Sequence, residues 1–160
     1  MKIRSAVVTA FIFLIFKNVS AQEKGIGLGV ILGQPTGVSS KAWLTPNTSF
    51  DLGAAWNFSR AKPDRGLTSQ KDFQLHADYL FHNFSLFPTN TGKMPLYYGI
   101  GGRIIFDSKS RMGIRMPIGI DYIINNSKVD IFLEAVPILD LAPATSFDLN
   151  AAIGARFWIK

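Results

Sequence analysis

The chain has 160 residues, 48% of them hydrophobic, with no cysteine and a formal net charge of +6. That length suits one domain or one small barrel rather than two domains, and without cysteine no disulfide framework can stabilise it. Three basic residues, Lys2, Arg4 and Lys17, fall in the first 21 positions, so the remainder carries only +3, a weak case for nucleic acid as a partner.

The first segment has the form of an export signal. Lys2 and Arg4 precede an apolar run from Ala6 to Phe16, and Val19, Ser20 and Ala21 supply the small residues of a cleavage site before Gln22. The run is too short to span a bilayer as a helix, which takes roughly 20 residues. We therefore expect residues 1–21 to be a cleaved signal peptide and residues 22–160 to be a single β-barrel domain. No later stretch approaches 18 consecutive apolar residues, which excludes helical spans.

From Gly25 onward the pattern has period two, interrupted by turn residues. Eight strands are predicted: Gly25 to Gly33, Gly37 to Leu44, Ser49 to Ser59, Asp72 to His82, Leu96 to Asp107, Met112 to Ile124, Val129 to Leu141 and Phe147 to Ile159. Pro, Gly, Asn, Ser and Thr fill the separators, as in Gln34-Pro35-Thr36, Thr45 to Thr48, Asn125 to Lys128 and Ala142 to Ser146.

Sorting each strand by parity gives two unlike faces. One is apolar and free of charge; the third strand contributes Phe50, Leu52, Ala54, Trp56 and Phe58, and the eighth Phe147, Leu149, Ala151, Ile153, Ala155 and Phe157. The other is glycine-rich and polar, with Gly27, Gly29, Ser39, Gly53 and Gly101 among its charged residues. In a soluble barrel the apolar face fills the core, whereas in a membrane barrel it meets lipid.

Three features favour lipid. Small residues dominate the polar face, suiting the crowded lumen of an eight-stranded barrel better than a solvated surface. The aromatic residues of the apolar face form two groups, Phe58, Phe73, Phe106 and Phe147 at one end and Phe50, Tyr79, Phe81, Tyr98, Tyr122 and Phe157 at the other, with aliphatic residues between. The strand lengths suit a tilted span. The expected fold is thus an all-β, eight-stranded, antiparallel up-and-down transmembrane barrel in the bacterial outer membrane. A soluble lipocalin-type barrel is the competing arrangement.

Folding each hairpin at its turn gives a pairing sketch for the polar face. It places Lys41 opposite Asp51, Arg103 opposite Arg115 beside Gln74 and His76, and Arg156 opposite Phe132 between Asp130 and Glu134. Buried charges require partners, so Lys41, Asp51, His76, Asp78, Arg103, Arg115, Asp121, Asp130, Glu134 and Arg156 are expected to form a lumen network. Such a network reads as a plug of salt bridges; the alternative is a narrow channel or small-ligand site around Arg103, Arg115, Asp121 and Glu134. Asp140 and Asp148 face each other in the sketch, too few oxygens for a metal site, and we expect neither metal nor cofactor.

A catalytic reading finds no nucleophile. His76 and Asp78 share a face, but the sketch puts neither Ser39 nor Ser59 beside His76, which leaves an outer-membrane lipid hydrolase as the third reading. His82 lies near the inner rim. Gly25-Ile26-Gly27-Leu28-Gly29 lacks the helix that gives a phosphate loop its meaning. Arg60, Lys62, Arg65 and Lys71 in the second outer loop, with Lys109 and Arg111 in the third, are candidate contacts for lipopolysaccharide phosphates or plain solvated charges.

Several segments carry a family resemblance: Leu75 to Asn83, Pro95 to Arg103 with its Tyr97-Tyr98-Gly99-Ile100-Gly101-Gly102-Arg103 core, Asp130 to Pro137, and Phe147 to Asn150. On these the chain resembles a family of small bacterial outer-membrane barrel proteins, similar to the OmpA-type and OmpX-type eight-stranded barrels. The resemblance implies a fold and a location but no activity. The reading as a whole is a monomeric, porin-like barrel with a structural or surface-interaction role, with outer-membrane lipid around it and the barrel-assembly machinery as a partner during insertion; a surface ligand stays unspecified. Ile159 and Lys160 follow the terminal aromatic pair Phe157-Trp158, a departure from the aromatic ending usual in such barrels. Pro117 and Pro137 interrupt neighbouring strands, where a bulge is expected. The connection from Asn83 to Pro95 is long for a turn, with Phe84 and Phe87 expected along the inner interface.

Overall fold

The computed structural model describes residues 25–58, 71–106 and 110–159; the signal-peptide expectation falls outside them. The described chain forms ten strand segments: β1 (Ile26–Gly33), β2 (Thr36–Thr45), β3 (Thr48–Phe58), β4 (Lys71–Asn83), β5 (Gly92–Lys93), β6 (Leu96–Phe106), β7 (Arg111–Arg115), β8 (Ile118–Ile124), β9 (Val129–Ala142) and β10 (Ser146–Ile159). All pairings are antiparallel, and β10 closes the ring against β1 from Ile26↔Ile159 to Gly33↔Ala152.

Ten segments make eight staves, because two staves are interrupted at prolines without losing register. β5 and β6 are one stave against β8: Lys93 pairs with Ile123 and Leu96 with Ile120, while the Pro95 carbonyl between them accepts from Asp121 N at 3.1 Å. β7 and β8 are likewise one stave against β9, with Arg115 paired to Ile138 and Ile118 to Ala135. The bulge expected at Pro117 and Pro137 is not there. Each proline lacks a donor but keeps its acceptor, so Met116 N bonds Pro137 O and Gly99 N bonds Pro117 O, both at 2.9 Å, and the ladder holds. The irregularity lies instead between Met112 and Gly113, near the strand end, with another between Trp43 and Thr45. With β5 joined to β6, the long connection shortens to residues 84–91.

The stagger of the ring follows from its ladders. Stepping partner to partner from Leu28 through Ser40, Leu52, Ala77, Gly102, Ile114 and Leu139 leads to Phe147, yet Leu28 pairs directly with Phe157, ten residues away. Eight staves with that shear require a tilt of about 40° and leave a bore that side chains can fill. Asn126, at φ 58°, turns β8 into β9; asparagine tolerates this left-handed conformation where branched residues do not.

Parity sets the facing throughout. Leu28, Leu52, Ile100, Leu133 and Ile153 point outward and are 47–60% exposed, whereas Lys41, Gln74, Arg115, Asp121 and Asp130 point inward and are at most 1% exposed. The soluble arrangement with the apolar face inward is therefore not the one adopted. The inner face is also less polar than expected. Ile31, Leu80, Ile105, Phe132, Val136 and Ile138 share its parity and are buried with the charges.

Large inner side chains need glycine opposite them. A Cβ at Gly53 would stand 2.2 Å from ring atoms of His76. Gly53→Val is expected to destabilise the barrel by about 1–3 kcal/mol, the usual cost of overpacking. Denaturant titration checks this, and His76→Ala in the Gly53→Val background should recover part of the loss.

A candidate functional site in the filled lumen

The inward charges assemble in three tiers. We call the end where β1 begins and β10 ends the terminal end, and the opposite end the loop end. Nearest the terminal end, β10 directs Arg156 across the bore, where its three nitrogens each meet a different carboxylate: Nε donates to Asp130 Oδ1 at 3.1 Å, Nη1 to Asp51 Oδ2 at 2.7 Å and Nη2 to Asp121 Oδ1 at 2.7 Å. The guanidinium carbon also lies 4.0 Å from the Phe132 ring centroid. Lys41 Nζ donates to the other oxygen of Asp121, which also has His82 Nε2 at 3.3 Å.

In the middle tier Arg115 Nε stands 3.1 Å from Asp78 Oδ1, and its Nη2 lies 3.7 Å from Glu134 Oε1. Tyr97 donates its hydroxyl to Glu134 Oε2 at 3.1 Å. Toward the loop end Arg103 grips Asp140 with two bonds, Nε to Oδ1 at 2.9 Å and Nη2 to Oδ2 at 2.7 Å, and reaches Asp148 Oδ2 from Nη1 and Nη2 at 3.2 Å. Paired donors on one planar carboxylate are the strong form of this contact. Asp148 is the member nearest water, its side chain 48% exposed.

The terminal end is closed by rings. Trp43 lies 4.4 Å from His82, 6.0 Å from Phe84 and 6.4 Å from Trp158, centroid to centroid, and Tyr97 lies 5.6 Å from His82. Trp158 donates Nε1–H to Asp130 Oδ2 at 2.9 Å, so the ring layer and the first tier are bonded together. Phe84 therefore folds over the lumen mouth rather than along the wall as expected; Phe87 is exposed.

The pairing sketch holds at Lys41 and needs correction at three other places. Lys41 does sit opposite Asp51 in the ladder, but its ammonium goes to Asp121, across the bore. Arg103 and Arg115 are not opposite each other: Arg103 faces Gly113 and Arg115 faces Gly101, so each reaches its own carboxylates. Arg156 faces Asp130, and Phe132 faces Gly154. Asp140 and Asp148 are also offset, paired with Ser146 and Ile138, and Arg103 lies between them.

His76 has Gln74 Nε2 at 3.5 Å from Nδ1. The ladders place Ser39, Gly53 and His76 in one row, closer than the sketch had it, but no hydrogen bond joins Ser39 Oγ to the imidazole. Ser59 lies outside the described residues, as do Arg60, Lys62, Arg65 and Lys109; Arg111 opens β7. Among the described residues, no three His, Asp or Glu side chains are grouped as a metal site would need.

Sequence reasoning missed His82, Tyr97 and Trp158 as members of the network. Their inward parity was the available signal, since a ring on the charged face must meet the charges. Ring and ion pairs together define the class: an eight-stranded, antiparallel up-and-down barrel with a filled lumen. Among solved structures the chain is similar to the N-terminal β-barrel domain of OprF from Pseudomonas aeruginosa, with a TM-score of 0.57 and 13% identity, over 84% of this chain and 96% of that one. The OmpA-like character read from the sequence holds at the level of fold. No protein-family model matches the sequence, and no curated protein matches it.

Proposed function

We propose that this chain is a small integral protein of a bacterial outer membrane, a barrel sealed by its own ion pairs, with a structural or surface-interaction role. The observation that carries this reading is the distribution of charge. Among the described residues, the outward positions of the strands beyond the first residue of β4, Lys71, carry no Asp, Glu, Lys or Arg, while large apolar side chains are exposed on every stave. A water-soluble monomer seldom exposes an apolar patch beyond a few hundred Å², whereas lipid imposes such a band. Aromatic contacts border it: Trp56–Phe73–Phe106 toward the loop end, and Tyr79–Phe81–Tyr98 toward the terminal end.

On this reading the terminal end faces the periplasm, because the connections there include the short turns at Pro46-Asn47 and residues 125–128, while at the other end 12 residues of sequence separate Phe58 of β3 from Lys71 of β4. Export through a signal peptide and insertion by the barrel-assembly machinery follow. The basic residues Arg60, Lys62, Arg65, Lys109 and Arg111 then belong to connections at the outer surface, where lipopolysaccharide phosphates are available.

The lumen supports a plug rather than a pore, since three tiers and a ring layer succeed one another along the axis. Planar-bilayer recording of the purified protein should show no steady ohmic conductance. Arg103→Ala should stay closed as well, because the Arg156 tier is untouched. Steady conductance in the unmodified protein would favour the narrow-channel alternative.

A further inference from the structure

At the terminal end the barrel carries a cleft unlike the apolar band beside it. Its volume is about 420 Å³, and it lies where the β2–β3 turn meets the ends of β4 and β6. That is within the roughly 300–1,000 Å³ of a small-ligand site. Asn47 and Thr48 line it from the turn, Asn83, Phe84 and Ser85 from the chain leaving β4, and Phe81 and Tyr98 from the outward positions of β4 and β6. Backbone bonds build it. His82 N donates to Asn47 O at 2.7 Å, which ties the turn to β4, and Ser85 N donates to Asn83 Oδ1 at 2.9 Å, which bends the chain as β4 ends. Phe84 is held against Trp43 and His82, and Phe81 stacks on Tyr98 with centroids 5.9 Å apart.

The polar groups of this lining are not taken up within the fold. Among the described residues, no hydrogen bond engages the Asn47 carboxamide, Asn83 Nδ2, the Ser85 hydroxyl or the Tyr98 hydroxyl. The lining is also neutral. No Asp, Glu, Lys or Arg contributes to it, and His82, which borders it, is buried with Nε2 3.3 Å from Asp121 in the lumen.

We propose that this cleft seats the headgroup of a zwitterionic phospholipid, phosphatidylethanolamine, whose acyl chains run along the wall past Phe81 and Tyr98. The inference rests on the membrane reading above, which surrounds the whole wall with lipid; the cleft selects a headgroup at one place on the rim. The Tyr79–Phe81–Tyr98 border sets the depth, because such rings settle at headgroup level. A cleft on their polar side meets headgroups rather than chains. Neutral amides and hydroxyls donate to phosphate oxygens and accept from an ammonium, and an aromatic face attracts the ammonium as well. An anionic headgroup would bring a charge that nothing in the cleft pairs, and an unpaired charge is costly to take from water. A headgroup carrying both signs avoids that cost.

The test uses the mature protein folded in detergent, with phosphatidylethanolamine and phosphatidylglycerol of matched chains as separate probes and bound lipid counted by native mass spectrometry. The wild type should bind phosphatidylethanolamine roughly tenfold more tightly than phosphatidylglycerol. Asn47→Leu and Ser85→Leu each remove a polar group and fill the cleft at an exposed position; each should weaken phosphatidylethanolamine binding by roughly tenfold and leave phosphatidylglycerol binding unchanged. Heat-modifiable gel migration reports folding, and Asn47→Ala is the reserve if either variant fails to fold. Equal wild-type binding of the two lipids would overturn the site, as would unaltered phosphatidylethanolamine binding in the folded variants or an equal loss for both lipids. Failure of the underlying membrane reading is a separate observation, namely a folded wild-type protein that needs no detergent.

Discussion

Replacing Arg156 with methionine should cost about 3–5 kcal/mol of stability, the usual penalty for removing one partner from a buried ionic cluster. Arg156 is 2% exposed and engages Asp51, Asp121 and Asp130 at once. Methionine keeps much of the stem that packs over Gly29, where a Cβ would stand 2.5 Å from Arg156 Cγ, so the loss reports charge more than volume. Lys41 remains as the one Lys or Arg paired within that tier, bonded to Asp121 alone. Asp51 and Asp130 are left without the guanidinium that bridges them, buried at 8% and 0% exposure. Urea unfolding of the lipid-reconstituted barrel, followed by tryptophan fluorescence, measures the effect, because Trp158 is bonded to Asp130 and stacked with Trp43. Arg103→Met should cost less, since Asp148 is half-exposed and water can solvate it.

Face assignment was legible in the sequence and partner choice was not, for a geometric reason. Every predicted strand appears within a residue or two of its expected bounds wherever the chain is described, and inner and outer parity agree along all eight staves. Side-chain period two carries this information locally. The turn centres carry the register, and the sketch misplaced two of them by one position. Moving a turn centre by one residue moves the pairing by two, which preserves the face and changes the neighbour. Thus Asp140 pairs with Ser146 rather than Asp148, and Arg115 with Gly101 rather than Arg103.

The ion pairs themselves are less local still. Lys41 and Asp121 are separated by 80 positions and Arg156 and Asp51 by 105, joined only when the ring closes. Neighbour-strand reasoning cannot find a bond that crosses the bore. The prolines mislead for another reason. Losing a donor suggests a bulge, but the carbonyls of Pro95, Pro117 and Pro137 remain as acceptors and keep each ladder in step. The candidate site was therefore readable as a set of residues, while its tiers, with one or two cations holding two or three carboxylates, belong to the closed fold.

The most direct measurement concerns the outside of the wall. Ile153 points outward on β10, 50% exposed, between the exposed rings of Phe147 and Phe157, with Leu133 and Leu32 as its ladder neighbours. If lipid covers it, Ile153→Arg should reduce the unfolding free energy of the reconstituted barrel by about 2–4 kcal/mol, the cost of a cation near the bilayer midplane, while Phe147→Arg at the rim should cost about 0–1 kcal/mol from the charge itself. That depth dependence is the signature of a bilayer. Equal and negligible effects at the two positions, with a protein that stays folded and monomeric in buffer without detergent, would show that water covers this face and would contradict the account.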